Sequence, residues 1–361
     1  MMRIPTFSRC ALGVCATVLT LAGCGGWQPA INPPGAMPQS RAARAQPVAQ
    51  RPQLPPPAAK NLYVINLGQS PSGAGTVTVY APGTSKPLRT ITKGLDRPLS
   101  LAFDKAENLY VANADAATVT VYAPGGSKPL RTISNGIVYP QAVVVAASGN
   151  VCVANQSTVT VYKSGTTTLL RTITNGINNP YRLAFDTMGE LYVANLFGPS
   201  TVTVYSKAKN TLLRTISAGI DDPIALAFDG SDNLYVANSG NSTVTVYAAG
   251  GSKVSRTISD GVDDPGGLAL DSTSNLYVSN FSASGKSTVT VYAPGSSKVL
   301  RTITAGLSDP GPLAFGSNGF LNVANGYPSN GSITEYAPGS GKVARTITDG
   351  IFFPEDLAFG P

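Results

Sequence analysis

Glu355 and Asp356 stand side by side directly after Pro354, and Asp222, Asp264 and Asp309 each sit directly before a proline. Carboxylates grouped in this way could supply oxygen ligands to calcium, which takes about six to eight of them. A calcium-dependent hydrolase would therefore draw first on Glu355 and Asp356. The chain has no histidine. That removes Ser-His-Asp hydrolysis, Cys-His proteolysis, His-ligated zinc and haem held by His. Where comparable prolines recur, the following positions offer Ala142, Ile224-Ala225, Gly266-Gly267 and Gly311-Pro312, none of them a ligand. No pre-organised acid–base pair stands out. On these grounds the chain is expected to be non-enzymatic and to carry no cofactor.

The elements that position these residues are set by a repeat. Asn61-Leu62-Tyr63-Val64-Ile65-Asn66 recurs at Asn108, Asn150, Glu190, Asn233, Asn275 and Phe320, with start-to-start spacings of 40 to 47 residues. Each copy is followed by a TVTVY-like run, an LRTIT-like run, a Gly-containing turn, a proline and a short apolar stretch, usually LAFD. These are four runs per unit, rich in Val, Ile, Thr, Tyr and Phe and separated by Gly, Pro, Asn, Asp and Ser, which is strand and turn chemistry. Four strands in about 43 residues is the period of a propeller blade. The first unit lacks an LAFD strand before it, and the last ends on Leu357-Ala358-Phe359. The expected fold is all-β: a seven-bladed β-propeller of four-stranded antiparallel blades, its C-terminal strand completing the first blade.

The YVAN strands, the Pro-x-x-LAFD runs and the TVTVY strands resemble the NHL and YVTN-type propellers of bacterial exported proteins. The resemblance covers 61–361 and implies that the LAFD strands line a central channel and the LRTIT strands lie outermost. It also implies one rim shared by the loops after YVAN and the loops before the prolines. Propellers of this kind include binders, scaffolds and enzymes, lactonases among them. What is needed once per blade is packing. The recurrent Asn, Arg and Pro are therefore read as scaffold: Asn satisfying turn backbone, Arg keeping the outer edge charged, and Pro fixing φ. Glu335, in place of a Val-type residue, reads as an exposed substitution. Irregular aromatics on the rim, Tyr139, Tyr181, Phe197, Phe281, Tyr327, Phe352 and Phe353, form the candidate surface for an envelope protein or glycan. The principal expectation is thus a binding or scaffold module; the alternative is the calcium-dependent, lactonase-like hydrolase at Glu355 and Asp356.

Arg3 and Arg9 precede a short apolar run that ends in Leu21-Ala22-Gly23-Cys24. That is the pattern of an export signal, and Leu-Ala-Gly-Cys resembles the lipobox of bacterial lipoproteins. The resemblance implies cleavage before Cys24, a lipid on its sulfur, and a place in the cell envelope at a bacterial membrane. The reading divides the chain into a signal (1–23), a Pro/Ala-rich tether (24–59) and the propeller (60–361). Cys152 is then the one thiol of the domain, read as core filler. Of 26 Lys and Arg, six lie in the first 60 residues, which hold no acid; the remainder sets 20 against 19 Asp and Glu. Such a balance, with signs interspersed, does not advertise a nucleic-acid surface. A monomer is expected.

Overall fold

The computed structural model describes residues 59–68, 74–207, 209–281, 286–326 and 331–361. Cys24 and Tyr327 lie outside them. The described residues form seven four-stranded antiparallel sheets and contain no helix. Blade 1 takes its inner strand, Pro354–Gly360, from the C-terminus and pairs it with Asn61–Asn66; Thr76–Tyr80 and Arg89–Ile91 follow outward. Blades 2 to 7 begin with inner strands at Pro98, Ala142, Pro180, Pro223, Pro265 and Pro310. Each inner strand packs on the next, including blade 7 on blade 1, so the ring is closed, and the first and last described strands share one sheet. The chain is a seven-bladed β-propeller.

Packing explains the repeated letters. The second strand of every blade is buried along its length, and so is almost all of the third. The Thr-Val alternation therefore does not separate a wet face from a dry one. Both faces press on neighbouring blades, and buried threonine hydroxyls require partners. The recurrent asparagine supplies one. Asn66 Nδ2 donates to Thr76 and Thr78 (3.1 and 3.0 Å), and its Oδ1 accepts the N–H of Phe352 (3.0 Å). The same Oδ1 contact recurs at Asn113, Asn155, Asn195, Asn238, Asn280 and Asn325. One side chain thus ties two strands to the linker arriving from the previous blade. The tyrosine that ends each third strand does likewise: Tyr122 donates to the Lys93 carbonyl (2.6 Å), Tyr205 to that of Asn175 (2.7 Å) and Tyr336 to that of Ala305 (2.6 Å).

The recurrent arginines fold inward, whereas the sequence suggested a charged outer edge. Arg131 Nη2 donates to Tyr110 (2.8 Å) and Arg214 Nη2 to Tyr192 (2.6 Å), each guanidinium lying over the second-strand ring. Blade 7 substitutes both partners. Asn322 replaces the tyrosine, and Glu335 faces it across the sheet and pairs with Arg345 at 2.8 Å. Glu335 is buried, which corrects its expected exposure. Cys152 is buried too, its thiol pushed up to about 12 by burial, so it is inert filler in the place of a tyrosine.

Strand direction sorts the loops onto two faces. Linkers to the prolines and loops after the second strands share the upper face, joined by backbone bonds such as Ala114 N–H to Arg97 O (3.0 Å) and Leu67 N–H to Phe353 O (3.2 Å). The hairpin turns between inner and second strands, and between third and outer strands, form the lower face. The linkers also reach the outer turns of the following blade: Asp260 Oδ2 accepts the Val299 N–H, beside Lys298, at 3.3 Å.

Candidate functional site in the central channel

The linkers set the geometry of the channel mouth. In all seven, the residue before the proline has a left-handed backbone: Arg97, Tyr139, Asn179, Asp222, Asp264, Asp309 and Phe353 have φ between 46° and 50°. Asn and Asp tolerate this conformation; other side chains cost about 1–2 kcal/mol. Four blades use Asn or Asp. Arg97, Tyr139 and Phe353 do not, and they cluster on the linkers into blades 2, 3 and 1. The same backbone occurs at Glu107, Ala117, Ser242 and Ser274 in other turns, so it marks tight turns around the ring as well as these linkers. The guanidinium of Arg97 lies over the Tyr139 ring at 5.5 Å.

Beyond the prolines the pairing register slips, so that the next residue is bulged out of the ladder in blades 1, 2, 4, 5 and 6. In blade 1 that residue is Glu355 and in blade 4 it is Tyr181. Bulges redirect side chains in this way at barrel rims and active sites. One position further on, the inner strands carry Ser100, Ala142, Arg182, Ala225, Gly267, Pro312 and Asp356. A cavity of about 190 Å³ lies between them, lined by Arg182 and Asp356 together with Ile224, Ala225, Gly266, Gly267 and Pro312. Its two charged groups stand among small and apolar ones. Gly266 and Gly267 are required by close approach, since a Cβ on either would fall within 3 Å of the blade 7 backbone. Ser279 seals that junction by donating to the Gly311 carbonyl (2.7 Å).

The charged groups are each held differently. Asp356 Oδ2 accepts the Leu101 N–H (3.0 Å) and Oδ1 accepts its neighbour's, Leu357 (2.9 Å). Ser100 also bonds to Asp356, and its Oγ accepts the Val143 N–H (3.3 Å). Burial nevertheless raises the Asp356 carboxyl above its ordinary range, with Arg182 and these hydrogen bonds pulling against it. Glu355 has no hydrogen bond from a described residue. Burial raises its carboxyl, the Asp356 charge adds to the rise, and Arg182 and Arg97 oppose it. Arg182 packs its guanidinium on the Tyr181 ring at 4.2 Å and donates to the Tyr181 carbonyl (3.2 Å). It makes no contact ion pair with either carboxylate among the described residues. Two carboxyls with raised proton affinity thus share a channel with a cation that neither engages directly. Asp356 and Arg182 line the cavity and Glu355 adjoins them, which makes this the candidate site.

The predicted rim residues do not form one surface. Tyr181 reaches the channel mouth beneath Arg182, and Tyr139 sits under Arg97. Phe197 and Phe281 are exposed on the loops of blades 4 and 6, and Phe352 and Phe353 sit on the linker into blade 1. No ring stacking joins these rim aromatics among the described residues. Nor do the aspartates assemble a calcium shell. Asp222 bonds to Ser200 (3.1 Å), the backbone N–H groups of Asp264 and Asp309 are held by Ser242 (3.1 Å) and Ser287 (2.9 Å), and no described cluster holds three metal-ligating acids. Glu355 and Asp356 stand beside a guanidinium instead, a poor setting for a divalent cation. Sequence reasoning missed Ser100, Arg97 and Arg182. Arg182 had one available signal: it and Arg97 are the two arginines of 61–361 outside the LRTIT-like runs.

No family model matches the chain, and no curated protein matches its sequence. Solved structures do match its fold. One, from Bacteroides fragilis, bears the name "putative 6-phosphogluconolactonase"; it is 17% identical, with a TM-score of 0.69 over 84% of this chain and 99% of its own. Another, a protein from Lactobacillus plantarum, is 16% identical, with a TM-score of 0.67 over 84% of this chain and 100% of its own. The likeness is one of fold. It corrects the expectation of a non-enzymatic chain, because a propeller of this architecture carries an enzyme's name. The expectation had rested on seeing no pre-organised acid–base pair in the sequence; carboxyls raised by burial can exchange protons without a histidine.

Proposed function

We propose that the protein hydrolyses a small sugar lactone or similar cyclic ester in its central channel. The observation that carries this reading is the pair Arg182 and Asp356, which line the cavity with Glu355 beside Asp356 and break the sevenfold pattern. A cavity of about 190 Å³ fits a single sugar ring and no polymer. Ile224, Ala225 and the glycines would take the ring face, and Tyr181 the edge nearest the mouth.

Glu355 is the general base. It alone of the two carboxyls is unengaged, and its raised proton affinity brings it nearer to the working pH. It takes a proton from water as the water oxygen bonds to the lactone carbonyl carbon. Arg182 stabilises the developing oxyanion. When the ring C–O bond breaks, the leaving oxygen receives the proton held on Glu355, and an open-chain hydroxy acid is released with a proton to solvent. Asp356, fixed by its own hydrogen bonds, supplies a negative charge near the cation, which Tyr181 orients. No step calls for a metal.

The test is proton release by the full-length protein in a pH-stat, with a 1,5-aldonolactone and its 6-phosphate as substrates and spontaneous opening subtracted. Arg182→Gln and Glu355→Gln should each lower the rate by about 10²–10³-fold, the usual cost of removing one oxyanion donor or base. Equal rates with and without protein on both substrates would dismiss the reading.

A further inference from the structure

We infer that the seam between blades 7 and 1 is a binding site for one internal water molecule, which takes the place of a tyrosine hydroxyl. The site is separate from the channel and does not rest on the proposed reaction. The regular arrangement defines what that hydroxyl does. In blade 2, Tyr110, Val121 and Arg131 stand in one row across three strands. The Tyr110 hydroxyl accepts from Arg131 (2.8 Å) and donates to Asp104 in the hairpin turn (3.1 Å). Tyr235 and Tyr277 make the same two contacts in blades 5 and 6. Donor and acceptor at once, the hydroxyl joins the outer strand to the turn.

Blade 7 changes every member of this set except the arginine. Its row reads Asn322, Glu335 and Arg345, and Gly316 replaces the turn aspartate. Glu335 engages Arg345 Nη2 at 2.8 Å. Two buried polar atoms remain. Asn322 Oδ1 has no partner among the described residues, because the amide nitrogen is the end turned to the Phe320 carbonyl (3.4 Å). Arg345 Nη1 has none either, and it is the one buried Nη1 of the recurrent arginines in that position. Both residues line one cavity of about 20 Å³, together with Leu62 and Tyr80 of blade 1. A water needs about 10–15 Å³ and two to four polar partners, so the cavity takes one molecule and not a chain.

Chemistry selects the occupant. It must donate to an amide oxygen and accept from a guanidinium. A metal cation cannot donate a hydrogen bond, and neither can a halide. Glu335 and Arg345 already balance one another, so an ion of either sign would leave net charge inside the seam. Water satisfies both atoms and adds no charge. Blade 3 supports the same reading of the space. There the aspartate and tyrosine are replaced by Ala146 and Cys152, and a cavity of about 30 Å³ again lies beside them.

The test is a crystal structure of the full-length protein grown in bromide, joined to oxygen-17 relaxation dispersion, which counts long-lived internal waters. Density should appear about 2.7–3.2 Å from both Asn322 Oδ1 and Arg345 Nη1, without a bromide anomalous signal. The double variant Asn322→Tyr/Glu335→Val rebuilds the blade 2 row and should lose one long-lived water relative to wild type. No density at this place, a bromide peak there, or Asn322 and Arg345 turned to bond other protein groups would overturn the inference. An unchanged water count in the folded double variant would do the same. Should that variant fail to fold, the wild-type density decides alone.

Discussion

Asp356 Oδ2 accepts the backbone N–H of Leu101 at 3.0 Å, joining the C-terminal strand to the inner strand of the next blade. The inner strand is a sheet edge, and its N–H groups lack ladder partners toward the channel. Asp356 satisfies one of them and at the same time holds a charge near Arg182. Asp356→Ala should therefore cost about 2–4 kcal/mol, since it leaves a buried donor unsatisfied and a cation less compensated. Asp356→Asn keeps the acceptor and should cost under about 1 kcal/mol. Urea unfolding of the two variants checks the difference.

Glu355 should weaken the fold it serves. Its folded-state proton affinity is raised by burial, so the folded chain holds that proton more tightly than the unfolded chain does. The associated stability is complete below the ordinary glutamate range and is lost as pH rises through the folded value. Glu355→Gln should match wild type near about pH 4 and be more stable than wild type at neutral pH. Thermal unfolding across that range reads the effect; an unchanged difference at every pH would remove the burial argument.

In blade 7, Glu335 and Asn322 act together. Glu335→Val alone leaves Arg345 buried without a carboxylate or a tyrosine, and should cost about 3 kcal/mol or more. Adding Asn322→Tyr restores the arrangement in which Arg131 meets Tyr110, and should recover most of the loss. A double-mutant cycle measures the coupling, expected at about 1–3 kcal/mol.

Tyr139 occupies a left-handed position that other linkers give to Asn or Asp. Tyr139→Asn should stabilise the domain by about 1 kcal/mol while removing the ring beneath Arg97. Differential scanning calorimetry would detect the gain, and slower lactone hydrolysis would show its functional cost.

Closure of the ring was legible because Asn66, Tyr80 and Arg89 each recur at one place in every unit, and a packing role must recur with the unit. The same logic hid the channel. Arg182 differs from Ala142 or Gly267 only at a position whose direction depends on a bulge, and a bulge is a register slip that sequence periodicity does not reveal. Glu335 looked like a surface change because its partner Asn322 is distant in sequence but directly opposite in the sheet.

The most direct measurement compares a repeated arginine with the exceptional one. Titrate the full-length protein with an aldonate, the anionic product of lactone opening, by calorimetry, using Arg182→Gln and Arg131→Gln beside wild type. Arg182→Gln should lose at least about tenfold in affinity and keep its Tm, while Arg131→Gln should lose Tm and keep its affinity. Aldonate binding that is indifferent to Arg182, or that depends on Arg131, would contradict the assignment of function to the channel wall.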